Sequence, residues 1–255
     1  MSLLTSSTDV EYPESDGKPM GETDLHRDWM VRILARLKHR YRGERVYVSS
    51  DLLVYYEEGV PREFVVPDVF VVMDCDPRRR EVFKTWAEGR SPDVVWEVTS
   101  RSTRRNDELF KPRTYARIGV KEYFLYDPTS EYLRPPLRGF RLTEGGYREI
   151  EPEPSAGPAR LLCRELGILH YLEAGELVMT DSRTGERLLT GEEAEAAARQ
   201  VEAAARQAEA AARQAEAAAR QAEAAARQAE AAARRAAEEE VRRLRALLEG
   251  KDTPR

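Results

Sequence analysis

The sequence predicts an α/β domain with a mixed sheet flanked by helices, followed by one long C-terminal helix. Three observations carry this expectation. Short runs that are apolar on both faces read as buried strands, an early segment shows helical apolar spacing, and the C-terminal segment is reduced largely to Ala, Glu, Arg and Gln. With that segment set aside from Gly191 onward, about 190 residues remain, enough for one domain with a sizeable interior.

In chain order, residues 1–20 are rich in Ser, Asp, Glu and Pro and are expected to form a loose arm. Trp29, Met30, Ile33, Leu34, Leu37 and Tyr41 follow at steps of three and four, which marks one face of an amphipathic helix stopped by Gly43. Val46–Tyr56, rich in β-branched and aromatic residues, is expected to hold one or two strands. PDVFVVMD (67–74) and PDVVWEV (92–98) each begin at a proline and are apolar on both faces, as central strands are when covered from two sides. Thr103 to Gly119 has a mixed helical pattern with a glycine placed to cap its end. EYFLYDP (122–128) is a further strand ended by proline, and residues 137–190 read as short strands with turns at Glu144-Gly145-Gly146 and Arg183-Thr184-Gly185. Helices alternating with strands in this order describe a mixed sheet covered by helices. The expected organisation is an arm (1–20), a domain (21–190) and a helix (191–255).

That last helix is a strict repeat. AEAAARQ recurs every seven residues from about Ala194 to Arg235, with Glu202 and Arg206 four apart and Glu on the favourable N-terminal side. Alanine has the highest helix propensity, and a helix over 192–249 would reach roughly 87 Å. A seven-residue apolar period is that of a coiled coil, although alanine buries little surface. Val241, Leu244 and Leu248 form a stickier seam in a shifted phase. Pairing into a homodimer and a solitary charge-stabilised helix both fit this pattern.

The net charge is −5, which argues against a general polyanion binder. Residues 192–255 hold 13 acids and 12 bases, so attraction to nucleic acid must come from a local basic patch on the domain. Cys75 and Cys163 lie far apart without metal-ligand spacing and read as buried thiols in a reducing compartment. No basic-then-apolar leader pattern and no apolar run of membrane-spanning length is present, so a cytoplasmic protein without membrane association is expected.

The chemistry is expected at Asp68 and Glu97. Both sit inside apolar strand-like runs, where an ionised carboxylate is costly without a cation, a metal ion or strong donors. Acids on neighbouring strands can share one divalent ion, though strand-end acids are also often only solvated. Asp93, directly after Pro92, reads as a turn residue. Beyond Glu97 the charge changes sign: Arg101, Arg104, Arg105, Lys111, Arg113 and Arg117 stand against Asp107 and Glu108. Cations beside paired acids suit phosphodiester hydrolysis, in which the bases hold the flanking backbone. A solvated helix face with ordinary ion pairs is the plainer account of the same run.

PD at 67–68, PDVVWEVTSRST (92–103) and DELFKPRTYARIGVKEYFLYDP (107–128) together closely resemble the Uma-type putative restriction endonuclease family, of the PD-(D/E)XK nuclease superfamily. The resemblance covers roughly residues 22–189. It implies a restriction-endonuclease-like core of helix, three strands, helix and strand. It further implies Asp68 and Glu97 as metal-binding acids for Mg²⁺ or Mn²⁺, with the carbonyl of Val98 completing part of the shell. The superfamily's lysine two residues after the glutamate is Thr99 here, and the family's helix-borne lysine maps to Lys111. Pro112 beside it departs from regular helical geometry. Tyr115 lies one turn on, where packing and backbone contact are both open. Glu22 is the candidate accessory acid, and His26 four residues later could line the same cleft; either could equally be a surface helix residue, the favoured reading for His26. Arg101, Arg104 and Arg105 are candidate nucleic-acid contacts, and Ser100, Ser102 and Thr103 are expected to cap the next helix.

The expected function is thus a metal-dependent endonuclease acting on nucleic acid, DNA before RNA. Two alternatives belong to other classes: a nuclease fold without turnover serving as a binding or scaffold protein, motivated by Thr99 and Pro112, and an assembly protein in which the helix is the working part. GxSxG, GK[ST], HExxH and paired CxxC patterns are absent, which weakens serine-hydrolase, nucleotide-binding and zinc readings.

Overall fold

A computed structural model describes residues 10–15, 23–154 and 157–249. The chain divides into two compact units, Met1–Ala194 and Glu195–Arg255.

In the first unit, helix α1 (Asp24–Arg40) is capped by Thr23, whose side chain accepts from the backbone N–H of His26 at 3.2 Å. Its buried stripe is His26, Trp29, Met30, Ile33 and Leu37. Strands β1 (Tyr47–Ser49), β2 (Val54–Tyr55), β3 (Phe64–Val65), β4 (Val69–Val72) and β5 (Phe83–Lys84) follow, then the short helix α2 (Thr85–Glu88). Strand β6 (Val94–Val98), a π-helical turn (Asn106–Phe110), helix α3 (Lys111–Ile118) and strand β7 (Glu122–Tyr126) come next. The unit continues with β8 (Leu137–Thr143), β9 (Gly146–Glu149), β10 (Leu161–Cys163), β11 (Ile168–Glu173) and β12 (Glu176–Asp181).

The main sheet runs β1-β4-β6-β7-β8-β9. Only β6 and β7 pair in parallel, joined by the α3 crossover; the other neighbours are antiparallel. The sheet is mixed, and its core order is helix, three strands, helix, strand, as the sequence led us to expect.

Both faces of the sheet are covered, which explains why its central strands are apolar throughout. One face packs Val69, Val71, Val94, Trp96 and Phe124 against α1 and the β10-β11-β12 sheet. The other packs Phe70, Val72, Val95, Tyr123 and Leu125 against Tyr115 of α3 and residues of the β3-β2-β5 sheet. Cys75 and Cys163 are free and buried.

Helix α4 (Gly191–Glu249) begins with a reciprocal cap: Glu193 N–H donates to Thr190 Oγ1 at 3.1 Å, and Thr190 N–H donates to Glu193 Oε2 at 2.8 Å. Along the second unit, Arg206, Arg213, Arg220 and Arg227 each donate to the glutamate four residues earlier. Val201, Val241 and Leu244 are exposed on it. Among the described residues no helix is long and apolar enough to cross a membrane.

Candidate active site

Antiparallel pairing of Val69 with Trp96 sets Asp68, one residue before β4, opposite Glu97 near the end of β6. Side chains alternate along strands, so Asp68 and Glu97 share the face of Phe70 and Val95, beneath α3. Asp68 Oδ2 accepts from the backbone N–H of Val98 at 2.7 Å and lies 3.2 Å from His26 Nε2. A strand residue directs its N–H and C=O to the same side, so the Val98 carbonyl also opens toward Asp68.

The lysine comes from an irregular helix. Pro112 has no N–H, so the regular ladder cannot continue through it. Instead Lys111 N–H bonds back to Asn106, closing a π-helical turn, and Pro112 occupies the first turn of α3. Lys111 keeps helical dihedrals (φ −56°, ψ −42°) despite the following proline. The result is that Asp107, Lys111 and Tyr115, each four apart, all face the sheet. Gly119 ends the helix at φ 82°, in the left-handed region that glycine enters freely.

Lys111 Nζ donates to Glu97 Oε2 at 2.6 Å and lies 3.2 Å from Asp107 Oδ1. The Tyr115 hydroxyl donates to Glu97 Oε1. Glu97, Asp107 and Tyr115 are fully buried, and the Lys111 side chain is only 12% exposed. Burial pushes the Glu97 carboxyl well above its ordinary range; Lys111 opposes this, while the Asp68 and Asp107 carboxyls reinforce it. Burial likewise raises Asp107. At Asp68, burial also pushes upward, but the Lys111 ammonium, His26 and the Val98 N–H outweigh it and hold the carboxyl below its usual value. For Lys111, burial favours loss of the proton, yet Glu97, Asp68 and Asp107 hold that proton on more firmly than in water.

Two carboxyl groups therefore contact one ammonium, and a third, Asp68, acts on it from beyond ion-pair distance. Ionised together the three would exceed the Lys111 charge by two, offset in part when His26, 3.2 Å from Asp68, is protonated, and a divalent cation with its preference for oxygen donors meets such a deficit. Among the described residues no three His, Cys, Asp or Glu side chains form a ready ion cage. The donors that fit such an ion are the Asp68 and Glu97 carboxylates with the Val98 carbonyl, leaving further positions to water.

The sequence profile of the Uma2 family, described as "Putative restriction endonuclease", matches residues 3–167. This chain belongs to the Uma2 family. Among solved structures, a putative nuclease from Anabaena variabilis ATCC 29413 is similar to it with a TM-score of 0.41 and 15% identity, over 58% of this chain and 84% of that one. No curated protein matches.

In this Uma2-family chain, Arg101, Arg104 and Arg105 are exposed around the π-helical turn, and Arg104 pairs with Glu108 at 2.9 Å. Ser100 and Thr103 cap the turn reciprocally, through Ser100 N–H to Thr103 Oγ1 at 3.0 Å and Thr103 N–H to Ser100 Oγ at 3.4 Å. Thr99 is buried on the Glu97 face, and among the described residues its hydroxyl has no hydrogen-bond partner. Glu22 lies outside the described residues. Asp93, expected as a turn residue, accepts from Met73 N–H at 2.7 Å and pairs with Lys121 at 2.9 Å, tying neighbouring strands together.

Two residues differ from the expectation. His26 is not on the surface: it is 2% exposed, because the buried stripe of α1 extends one turn further and docks against Asp68. Its position three before Trp29 and four before Met30 was the available signal. Asp107 was read as one acid among solvated bases, but it is buried at the cluster. The signal there was its four-residue spacing to Lys111.

Proposed function

We propose that this Uma2-family protein is a metal-dependent endonuclease that hydrolyses DNA phosphodiester bonds with Mg²⁺ or Mn²⁺. The observation that carries the reading is the buried group of Asp68, Glu97 and Asp107 around a single lysine. Asp68 and Glu97 hold the ion with the Val98 carbonyl. When bound, the ion supplies a polarised phosphate oxygen and a water of lowered pKa. Lys111 keeps its charge in the cluster and stabilises negative charge developing on the phosphate oxygens. Tyr115 fixes Glu97 through its hydroxyl, and His26 and the Val98 N–H fix Asp68. The exposed Arg101, Arg104 and Arg105 engage the backbone on either side of the scissile bond. The heptad helix brings two copies together, so that both strands of a duplex can be cut.

A second reading, a nuclease fold serving as a scaffold without turnover, draws on Thr99 in the superfamily's lysine position and on the commitment of Lys111 to Glu97 at 2.6 Å. Calorimetric titration of Mn²⁺ into wild type, Asp68→Ala and Glu97→Ala separates the two, followed by cleavage of plasmid and single-stranded substrates. The nuclease reading expects binding lost in both variants and cleavage reduced by more than about 100-fold. Variants that bind the ion as wild type does sink the assignment and favour the scaffold.

A further inference from the structure

We infer that the cavity beside the acidic cluster is a subsite for an unstacked nucleobase of the nucleic-acid strand, an inference that rests on the nuclease reading above. The cavity, of about 640 Å³, lies on the same face of the sheet as Glu97, between the π-helical turn with α3 and strands β7 to β9. Its walls include three aromatic rings. Tyr123 stacks on Phe140 with centroids 6.0 Å apart and planes 27° apart, and Tyr147 packs 6.0 Å from Tyr123. Leu109, 51% exposed, forms an apolar lip.

The mouth of the cavity is cationic. The Arg138 guanidinium lies 4.9 Å over the Phe140 ring. Arg105 lines the opening and makes no ion pair among the described residues. The acids at the mouth are already matched: Glu108 pairs with Arg104 at 2.9 Å, and Glu149 with Arg138 at 2.8 Å. An aromatic floor under unmatched positive charge is what a base and its phosphate require, since every base offers a flat face and the backbone offers an anion. A base still stacked in a duplex does not reach a side cavity, so the occupant is an unpaired or extruded one.

The cavity is coupled to the proposed chemistry through one residue. The Tyr123 hydroxyl donates to the Asp107 carbonyl at 2.5 Å, and the Asp107 carboxyl lies 3.2 Å from Lys111 Nζ. Tyr123 itself is fully buried behind Phe140 and Tyr147, so a base seated against those two partly buried rings lies one side chain away from the residues around Lys111, and the enzyme favours single-stranded or locally opened DNA.

The test uses the full-length protein in chelator, so that binding is read without cleavage. The probe is a short oligonucleotide carrying a fluorescent adenine analogue that dims on stacking, offered single-stranded and as a duplex. Wild type is expected to bind the single strand more tightly and quench the label. Leu109→Glu and Arg105→Glu, both at exposed positions, are expected to lose about tenfold in affinity and the quenching with it. Equal affinity for duplex without quenching, or a wild-type signal in Leu109→Glu, overturns the subsite. If quenching fails while plasmid is still cleaved with Mn²⁺, the subsite alone falls. If quenching persists in a protein that never cleaves, the subsite stands and the nuclease reading falls.

Discussion

Of the five acids buried in or against the main sheet among the described residues, Glu97 and Asp107 at the end of β6 and Glu122 and Asp127 at the two ends of β7 divide into two kinds. At the β7 end, Asp127 accepts from the backbone N–H groups of Thr129, Ser130, Tyr132 and Leu133 and from the Thr129 hydroxyl. Glu122, at the start of β7, accepts from Arg141, the Arg164 and Glu165 N–H groups and the Cys163 thiol. At the β6 end, Glu97 has among the described residues only Lys111 and Tyr115, and Asp107 shares the same lysine. Although burial opposes it, the donors around Asp127 keep its carboxyl below the ordinary range, whereas Glu97 is driven far above it. Fixed local donors mark an acid that serves the scaffold. Shared, insufficient positive charge marks a place prepared for something more, since such an arrangement is costly in the absence of a further cation.

The sharpest way to break that comparison is to remove one cation from each kind. Lys111→Met leaves Glu97 and Asp107 without their counter-charge, and should cost about 3–5 kcal/mol in metal-free protein at neutral pH. Arg141→Met leaves Glu122 with two backbone donors and a thiol, and should cost about 1–3 kcal/mol. Chemical denaturation of the two variants beside wild type reads both numbers. Equal losses would mean that the β6 cluster is as well satisfied as the β7 one.

The difference between the clusters was only partly legible in the sequence, for reasons that individual residues show. The strands around 69–72, 94–98 and 122–126 were readable because both faces are covered and the runs are apolar throughout. Two-residue strands such as Phe64–Val65 and Phe83–Lys84 carry no period at all, so of the β3-β2-β5 sheet only β2 falls within an expected strand segment. Asp68, Glu97 and Lys111 stood out by resemblance and by their surroundings. Asp107 did not, because an acid among arginines has an ordinary explanation in solvent, and only the π-helical turn shows that it points inward. Pro112 announced an irregularity without its outcome: a missing N–H can be met by a kink, a break or an added residue, and packing against the sheet decides which. His26 was misjudged because polarity outweighed its place on the apolar stripe.

A smaller effect tests the comparison through pH. The folded Glu97 carboxyl titrates well above its ordinary value of 4.5, because burial penalises its charge. The folded state therefore keeps a proton that the unfolded chain gives up, and stability falls as pH rises from about 4.5 through the folded value. Asp107 acts with the same sign. Asp68 has the opposite sign, its contribution being lost only as pH falls through its depressed value. Denaturation midpoints of the metal-free protein should accordingly decline as pH rises from the ordinary carboxylate value toward the raised folded one, and Glu97→Gln should flatten that decline and exceed wild type at its upper end. A midpoint that rises with pH in wild type would place Glu97 with the well-satisfied acids.

The smallest effect concerns ion pairs that differ from the Lys111 cluster only in their surroundings. Arg206 lies 2.5 Å from Glu202, closer than Lys111 does to Glu97, but its side chain is 77% exposed. Solvent and salt screen such a pair, so proximity alone contributes little. Replacing Arg206, Arg213, Arg220 and Arg227 together by Gln should lower the temperature at which helical circular dichroism is lost from α4. Added salt should narrow the gap between variant and wild type, because it weakens only the pairs that wild type retains. Trp29, Trp86 and Trp96 all lie in the first unit, so tryptophan fluorescence follows that unit alone. Its unfolding should be unchanged in the variant. A shift in the tryptophan transition would mean that the heptad pairs support the domain, and that exposure is not what separates the weak contacts from the strong ones.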